Sequence, residues 1–196
     1  MTLLTVWTEA EPTTPVLETT DAERIREVLA GLGARFSRWD LKPLSEHPTQ
    51  DEVLELYKDE IEGVRSAEGY TLVDVLVLER GEGPEWEQKK AEARSKFLNE
   101  HQHDDDEDRF FASGSGVFYL NAGGKVHAVF CEAGDLISVP ANTTHWFDMG
   151  TEPEYVSVRF FHDDDGWVGH FTGSAVSESY ATYDQLAERR AQLVDA

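Results

Sequence analysis

The 196-residue chain has the size of one compact domain, and its 40% hydrophobic and 11% aromatic content is that of a globular protein. With 17 basic against 39 acidic residues, the net charge of −22 at pH 7 excludes nucleic acid and anionic membranes as partners. The same field repels a small anion, so a site for one needs its own arginine or metal.

Reading from the start, MTLLTVWTEAEPTTP has no basic residue before Arg24 and soon turns acidic, which is wrong for a secretory leader. No apolar run approaches the roughly 18–20 residues that span a bilayer. Cys131 is the only cysteine, so no intrachain disulfide forms, and a cytoplasmic protein is expected. Up to residue 100 the pattern is mainly helical. Thr20-Asp21-Ala22-Glu23 matches a capping box, and Ile25, Val28, Leu29 and Leu32 follow as one apolar stripe. A second box, Thr49 to Glu52, precedes Leu54, Tyr57, Ile61 and Val64 on one helical face. The apolar, β-branched stretch from Tyr70 to Leu78 predicts a strand. Pro84 opens a third helix through Trp86, Ala91, Ala93 and Phe97.

From residue 100 the texture becomes short strands and tight turns. Val117–Leu120 and Val126–Phe130 flank the turn Asn121–Lys125 as a hairpin. Further strands are expected over Leu136–Val139 and Tyr155–Phe161, and a helix over Tyr183–Leu193. Closely spaced strands suggest a closed barrel or jelly roll. The chain therefore reads as mainly β with helices, a single domain over 1–196. Residues 1–99 form a mixed helical and strand part packed on the barrel, and 100–175 form the barrel core.

Within EHQHDDDEDRF (100–110) stand His101, His103 and Glu107, and His145 follows in PANTTHW (140–146). Three imidazoles and a carboxylate can occupy four positions around a divalent transition metal. Imidazole suits iron, nickel, copper or zinc, and an open position marks a catalytic ion. In an extended strand His101 and His103 share a face. Two histidines two apart often occur by chance on surface strands; the added Glu107 and His145 are what favour a metal. Asp104-Asp105-Asp106 lacks EF-hand spacing and reads as a solvated loop. Arg109, two residues past Glu107, has an ordinary salt bridge as its plainer account. His127, His162 and His170 lack partners at ligand spacing and read as structural or surface residues. Cys131 has no adjacent base to make it a nucleophile.

The patterns His101-x-His103-x3-Glu107-x6-Gly114 and Gly134-x5-Pro140-x4-His145 resemble the two signature motifs of the cupin superfamily. Ser95 replaces the usual leading glycine of the first. Asn142 and Met149 depart from the second, the former mildly because asparagine tolerates a left-handed backbone. The blocks KFLNEHQH (96–103), DEDRF (106–110), GDLISVP (134–140) and HWFD (145–148) closely resemble the acireductone dioxygenase family of methionine salvage. That resemblance is dense over about residues 90–170.

The resemblance implies a cupin jelly-roll barrel with flanking N-terminal helices and a C-terminal helix. It further implies one Fe(II) or Ni(II) per chain on His101, His103, Glu107 and His145. Arg109 would stabilise the substrate dianion; apart from the resemblance, Arg159 on the Val158-Arg159-Phe160 strand is a candidate second anion partner. Phe97, Phe147, Phe161 and Trp167 would receive the thioether tail. Glu100 would act in metal incorporation and Asp106 in relaying conformational change, although a surface carboxylate is the plainer account of Glu100. The implied reaction is oxygenolytic cleavage of 1,2-dihydroxy-3-keto-5-methylthiopentene. Iron would yield 4-methylthio-2-oxobutanoate and formate; nickel would yield 3-methylthiopropionate, carbon monoxide and formate. Acireductone and O2 are then the partners, and a monomer is the expectation. The alternatives are another metal-dependent cupin dioxygenase or isomerase, or a metal-binding cupin without catalysis.

Overall fold

The computed structural model describes residues 1–163 and 168–194. Strand β1 (Leu3–Thr8), β2 (Leu17–Thr19), helix α1 (Ala22–Ala30) and β3 (Arg35–Arg38) come first. They are followed by α2 (Gln50–Leu56), α3 (Lys58–Glu68), β4 (Leu72–Leu78) and α4 (Pro84–Phe97). The strands β5 (His101–Gln102), β6 (Glu107–Ala122), β7 (Lys125–Glu132), β8 (Asp135–Val139), β9 (His145–Asp148) and β10 (Tyr155–Phe161) come next. β11 (His170–Phe171) and α5 (Tyr183–Val194) complete the order. No helix among the described residues is long and apolar enough to cross a membrane.

Strand β6 organises the fold because both halves of the β structure share it. Its first half pairs with β8 and β10, carrying β3 and β4 at their outer sides. Its second half pairs with β7 and β9, and β1 and β2 follow β7. Gly114 sits where β6 passes from one sheet to the other, with φ of 70°. A Cβ there would lie 2.1 Å from the Glu154 carbonyl oxygen, so only glycine lets β10 approach this closely. The register between β6 and β10 also shifts beside this point, a bulge that bends the strand.

Strand alternation then sorts the side chains. Phe111, Phe118 and Leu120 of β6 point between the sheets and meet Val129, Ile137 and Phe147 in a common core. On the opposite faces, Phe110 packs with Tyr57, Ile61 and Val158 under α2 and α3. Val117 and Tyr119 pack with Trp146, Tyr180 and Leu186 under the C-terminal segment. Both faces are covered, which is why these strands read as continuous apolar runs.

Several local expectations hold. The β6–β7 hairpin turns on Gly123 and Gly124, both with positive φ, as a two-residue turn with right-handed strand twist requires. Pro84 opens α4, and Thr49 caps α2 by accepting the Glu52 amide at 3.3 Å. Others shift. The cap of α1 is Asp21, whose carboxylate accepts the Arg24 amide at 2.8 Å, one residue beyond the Thr20 expected. The single helix anticipated over 49–64 is two, broken at Tyr57, whose buried hydroxyl accepts the Lys42 amide at 2.9 Å. The mainly helical reading of the first hundred residues also missed β1, β2 and β3; β1 runs alongside β7 through six paired residues.

Gly114→Ala should destabilise by clearly more than the about 1–2 kcal/mol that a left-handed alanine costs, because its methyl also meets β10. Gly123→Ala, with open space around its Cβ, should lose only that backbone cost. Urea unfolding followed by tryptophan fluorescence measures both; equal losses would refute the close-approach account of Gly114.

Candidate metal centre

Sheet register, not sequence spacing alone, assembles the histidines. β5 and β9 pair with His101 opposite His145, and His103 follows β5 directly. The ring centroids lie 4.6 to 5.1 Å apart across the three pairs. Each ring is held from behind by a main-chain carbonyl. His101 Nδ1 lies 2.7 Å from Asn99 O, His103 Nδ1 3.1 Å from Val168 O, and His145 Nδ1 2.7 Å from Thr143 O. A carbonyl only accepts, so each Nδ1 carries the proton, and a ring in its neutral form keeps its lone pair on Nε2. The three imidazoles offer ligand atoms within 4.8 Å of one another, and all three are buried.

Glu107, at the start of β6, brings Oε2 to 3.2 Å from His103 Nε2 and 3.0 Å from His145 Nε2. Two ligands about 2.1 Å from one metal and at right angles to each other sit about 3 Å apart. A hydrogen bond has the same length, but requires an imidazole protonated on both nitrogens. Three inward lone pairs and a carboxylate converging on one point fit a divalent transition metal. His101, His103 and His145 form a metal-binding triad, and Glu107 stands where a fourth ligand could be.

The local charges suit that arrangement. Burial, aided by the two neighbouring imidazoles and only partly offset by the Asn99 carbonyl, pushes His101 down to about 4. Burial also opposes charge on His103, but Glu107 and the Val168 carbonyl together outweigh it and raise that ring. For Glu107 burial would favour the neutral acid; Arg109 and the two imidazoles overcome this and hold the carboxyl well below its usual range.

Arg109 has an unexpected place. Its Nη2 donates to Glu107 Oε1 at 2.9 Å, and its guanidinium lies 4.5 Å from the Phe147 ring centre and 5.2 Å from that of Phe118. It is 1% exposed and does not line the adjoining cavity. Its charge therefore sits beside the Glu107 carboxylate, off the cavity surface. Arg159 does face the cavity, clasped by Asp74 through two bonds of 2.8 and 2.6 Å. Sheet register explains the row: Arg109, Arg159 and Asp74 are direct cross-strand neighbours on β6, β10 and β4.

The cavity encloses about 450 Å³, with His101, His103, His145 and Glu107 on its wall. Phe97, Phe147 and Phe161 line it as expected; Trp167 lies outside the described residues. Reading the sequence for site residues missed Leu72, Val168 and Phe171, apolar and largely exposed at its edge, and Lys96 and Asp74. Lys96 stood within the KFLNEHQH block, whereas Asp74 had no local signal.

The accessory carboxylates brace the site. Glu100 is 5% exposed, which corrects the surface reading; it accepts Asn121 Nδ2 at 2.9 Å and the Thr172 hydroxyl at 2.8 Å. Asp106 accepts the Ala141 amide at 2.8 Å, and the Asn142 amide donates to His103 O at 2.7 Å. These two bonds tie the motif turns together, with Asn142 at φ of 62° as its left-handed tolerance allows. Asp105 of the acidic run engages the His162 ring, and His170 lies 3.3 Å from Asp104. His127 is buried with Nδ1 3.3 Å from Leu120 O, apart from the triad. Cys131 is buried too, and that burial pushes its thiol far from ionising.

Known proteins resemble this chain in sequence and in fold. The sequence model described as the ARD/ARD' family matches residues 15–169. An acireductone dioxygenase of Saccharopolyspora erythraea is 54% identical, over 97% of this chain and 100% of the relative. Acireductone dioxygenase 1 of Nocardia farcinica is 46% identical, over 95% and 99% of the two chains. The solved acireductone dioxygenase of Bacillus anthracis, with a cadmium ion in its active center, superposes with a TM-score of 0.73 at 27% identity. That superposition covers 87% of this chain and 98% of the other. The cupin fold is thereby shown, and the chain belongs to the acireductone dioxygenase family.

Proposed function

We propose that this dioxygenase holds one Fe(II) or Ni(II) on His101, His103, His145 and Glu107 and cleaves 1,2-dihydroxy-3-keto-5-methylthiopentene with O2. The observation that carries the reading is the triad of carbonyl-tethered imidazoles opening on a cavity with aromatic walls. Bound there, the ion would supply Lewis acidity and a template for the enediol oxygens.

The residues around it divide the remaining work. Glu107, kept ionised by Arg109, provides the one negative donor. Arg109 adds a fixed positive charge in a water-excluded setting, where it favours the doubly ionised enediol. Arg159 faces the same cavity and, with Asp74 sharing its charge, orients the anion as a second partner. Phe97, Phe147 and Phe161 take the methylthio tail, with Trp167 assigned to the same wall on the family resemblance. Glu100 and Asp106 hold the ligand-bearing turns and act in metal uptake and its conformational relay. Iron gives 4-methylthio-2-oxobutanoate and formate; nickel gives 3-methylthiopropionate, carbon monoxide and formate. The protein works in this reading as a cytoplasmic monomer of methionine salvage, and its single buried Cys131 suits a reducing compartment.

Anaerobic reconstitution with iron or nickel, followed by product analysis, tests the reaction: carbon monoxide should appear with nickel alone. No acireductone turnover in the metal-replete protein would refute the activity. His101→Ala and His145→Ala should each leave less than about a tenth of the wild-type metal by mass spectrometry, since each removes a ligand. Full occupancy in either would break the ligand set. Arg109→Met at normal metal content should cut kcat by about 100-fold; unchanged turnover would remove its role in stabilising the anion.

A further inference from the structure

The walls of the cavity carry two cations, and only one is committed to a carboxylate of the described residues. Arg159 is clasped in two bonds by Asp74. Arg109 pairs with Glu107 and lies off the wall. Lys96, in the last turn of α4, lines the cavity and is exposed. Its Nζ lies 5.6 Å from the centre of the Phe97 ring, and among the described residues no carboxylate pairs with it. Its helix neighbours differ: Lys90 reaches Glu152 at 2.6 Å and Arg94 reaches Asp148 at 3.1 Å.

We propose that Lys96 captures the anionic substrate, drawing an enediolate to the cavity through the surrounding negative field. This rests on the acireductone reading above. The physical need is plain in a chain of net charge −22, whose overall field repels an approaching anion. A uniform repulsive field is overcome locally by one cation at an opening with apolar walls, because low-dielectric walls focus its field. The Lys96 ammonium lies over the Phe97 ring at the cavity wall, and its flexible four-carbon stem lets it follow the ligand inward. Lys96 is thus a binding residue, separate from the groups that hold the metal. Its position at a helix C-terminus also complements the helix dipole, but that role acts on stability and needs no cavity.

The test compares metal-reconstituted wild type with Lys96→Met, Lys96→Glu and Lys96→Arg. At about 10 mM ionic strength, where the Debye length is about 30 Å, Lys96→Met should lower kcat/KM about 10-fold, through KM. Lys96→Glu should lower it further and Lys96→Arg should restore it. At about 1 M salt, with a Debye length of about 3 Å, the wild-type advantage should disappear. Ascorbate, a stable enediolate, supplies a readout without turnover: its anaerobic dissociation constant by calorimetry should rise about 5–10-fold in Lys96→Met. Equal KM and equal ascorbate affinity at matched metal content would overturn the proposal. Lys96-dependent ascorbate binding in a protein that never turns over acireductone would uphold the anion site and fell the proposed reaction instead.

Discussion

Behind each imidazole of the triad stands a peptide carbonyl: Asn99 for His101, Val168 for His103 and Thr143 for His145. Because an oxygen of this kind cannot donate, it selects one tautomer and points the free lone pair away from itself. Three such contacts from three chain segments leave the Nε2 atoms facing one another. The surrounding β structure keeps those segments in place. β5 and β9 are adjacent because β9 pairs along β6, and β6 can serve two sheets because Gly114 lets it turn against β10. The Asp106–Ala141 and Asn142–His103 bonds then fasten the two motif turns directly.

Charge is distributed with similar economy. Burying Glu107 costs free energy that only close positive partners offset, and Arg109 meets that need from the core side. The arginine in turn lies against the Phe147 and Phe118 rings, whose π faces favour a cation. One aromatic side chain therefore serves both the cavity wall and the charge beneath it. Asp74 restrains Arg159 in the same way, and Lys96 is left as the cavity cation that answers the overall acidity.

Signals that act on their own backbone were legible in the sequence. Pro84, Thr49 and the Gly123–Gly124 pair act on their own immediate backbone, so composition predicts their effect. The four candidate ligands were likewise legible, because only a few residue types bind transition metals and their motif spacing is compact. The short strands β2 and β3 carried no usable pattern: three and four residues cannot display a period of two. β1 was hidden for another reason, since both its faces are covered and its residues do not alternate. The break at Tyr57 carried no local signal; Tyr57 is buried there, and its hydroxyl accepts the Lys42 amide.

The sequence by itself determined the chemistry available: which donors exist, which family they mark, and that an anion would need local help. Only the tertiary structure decided how the positive charges are used. Asp74 lies 85 residues from Arg159 in the chain, yet register across β4 and β10 makes them partners. Arg109, two residues from Glu107, spends its charge on that carboxylate and turns from the cavity wall, while Lys96 lines it. Residue type sets the sign of a charge, but its neutralisation depends on distance and burial, and those exist only after folding.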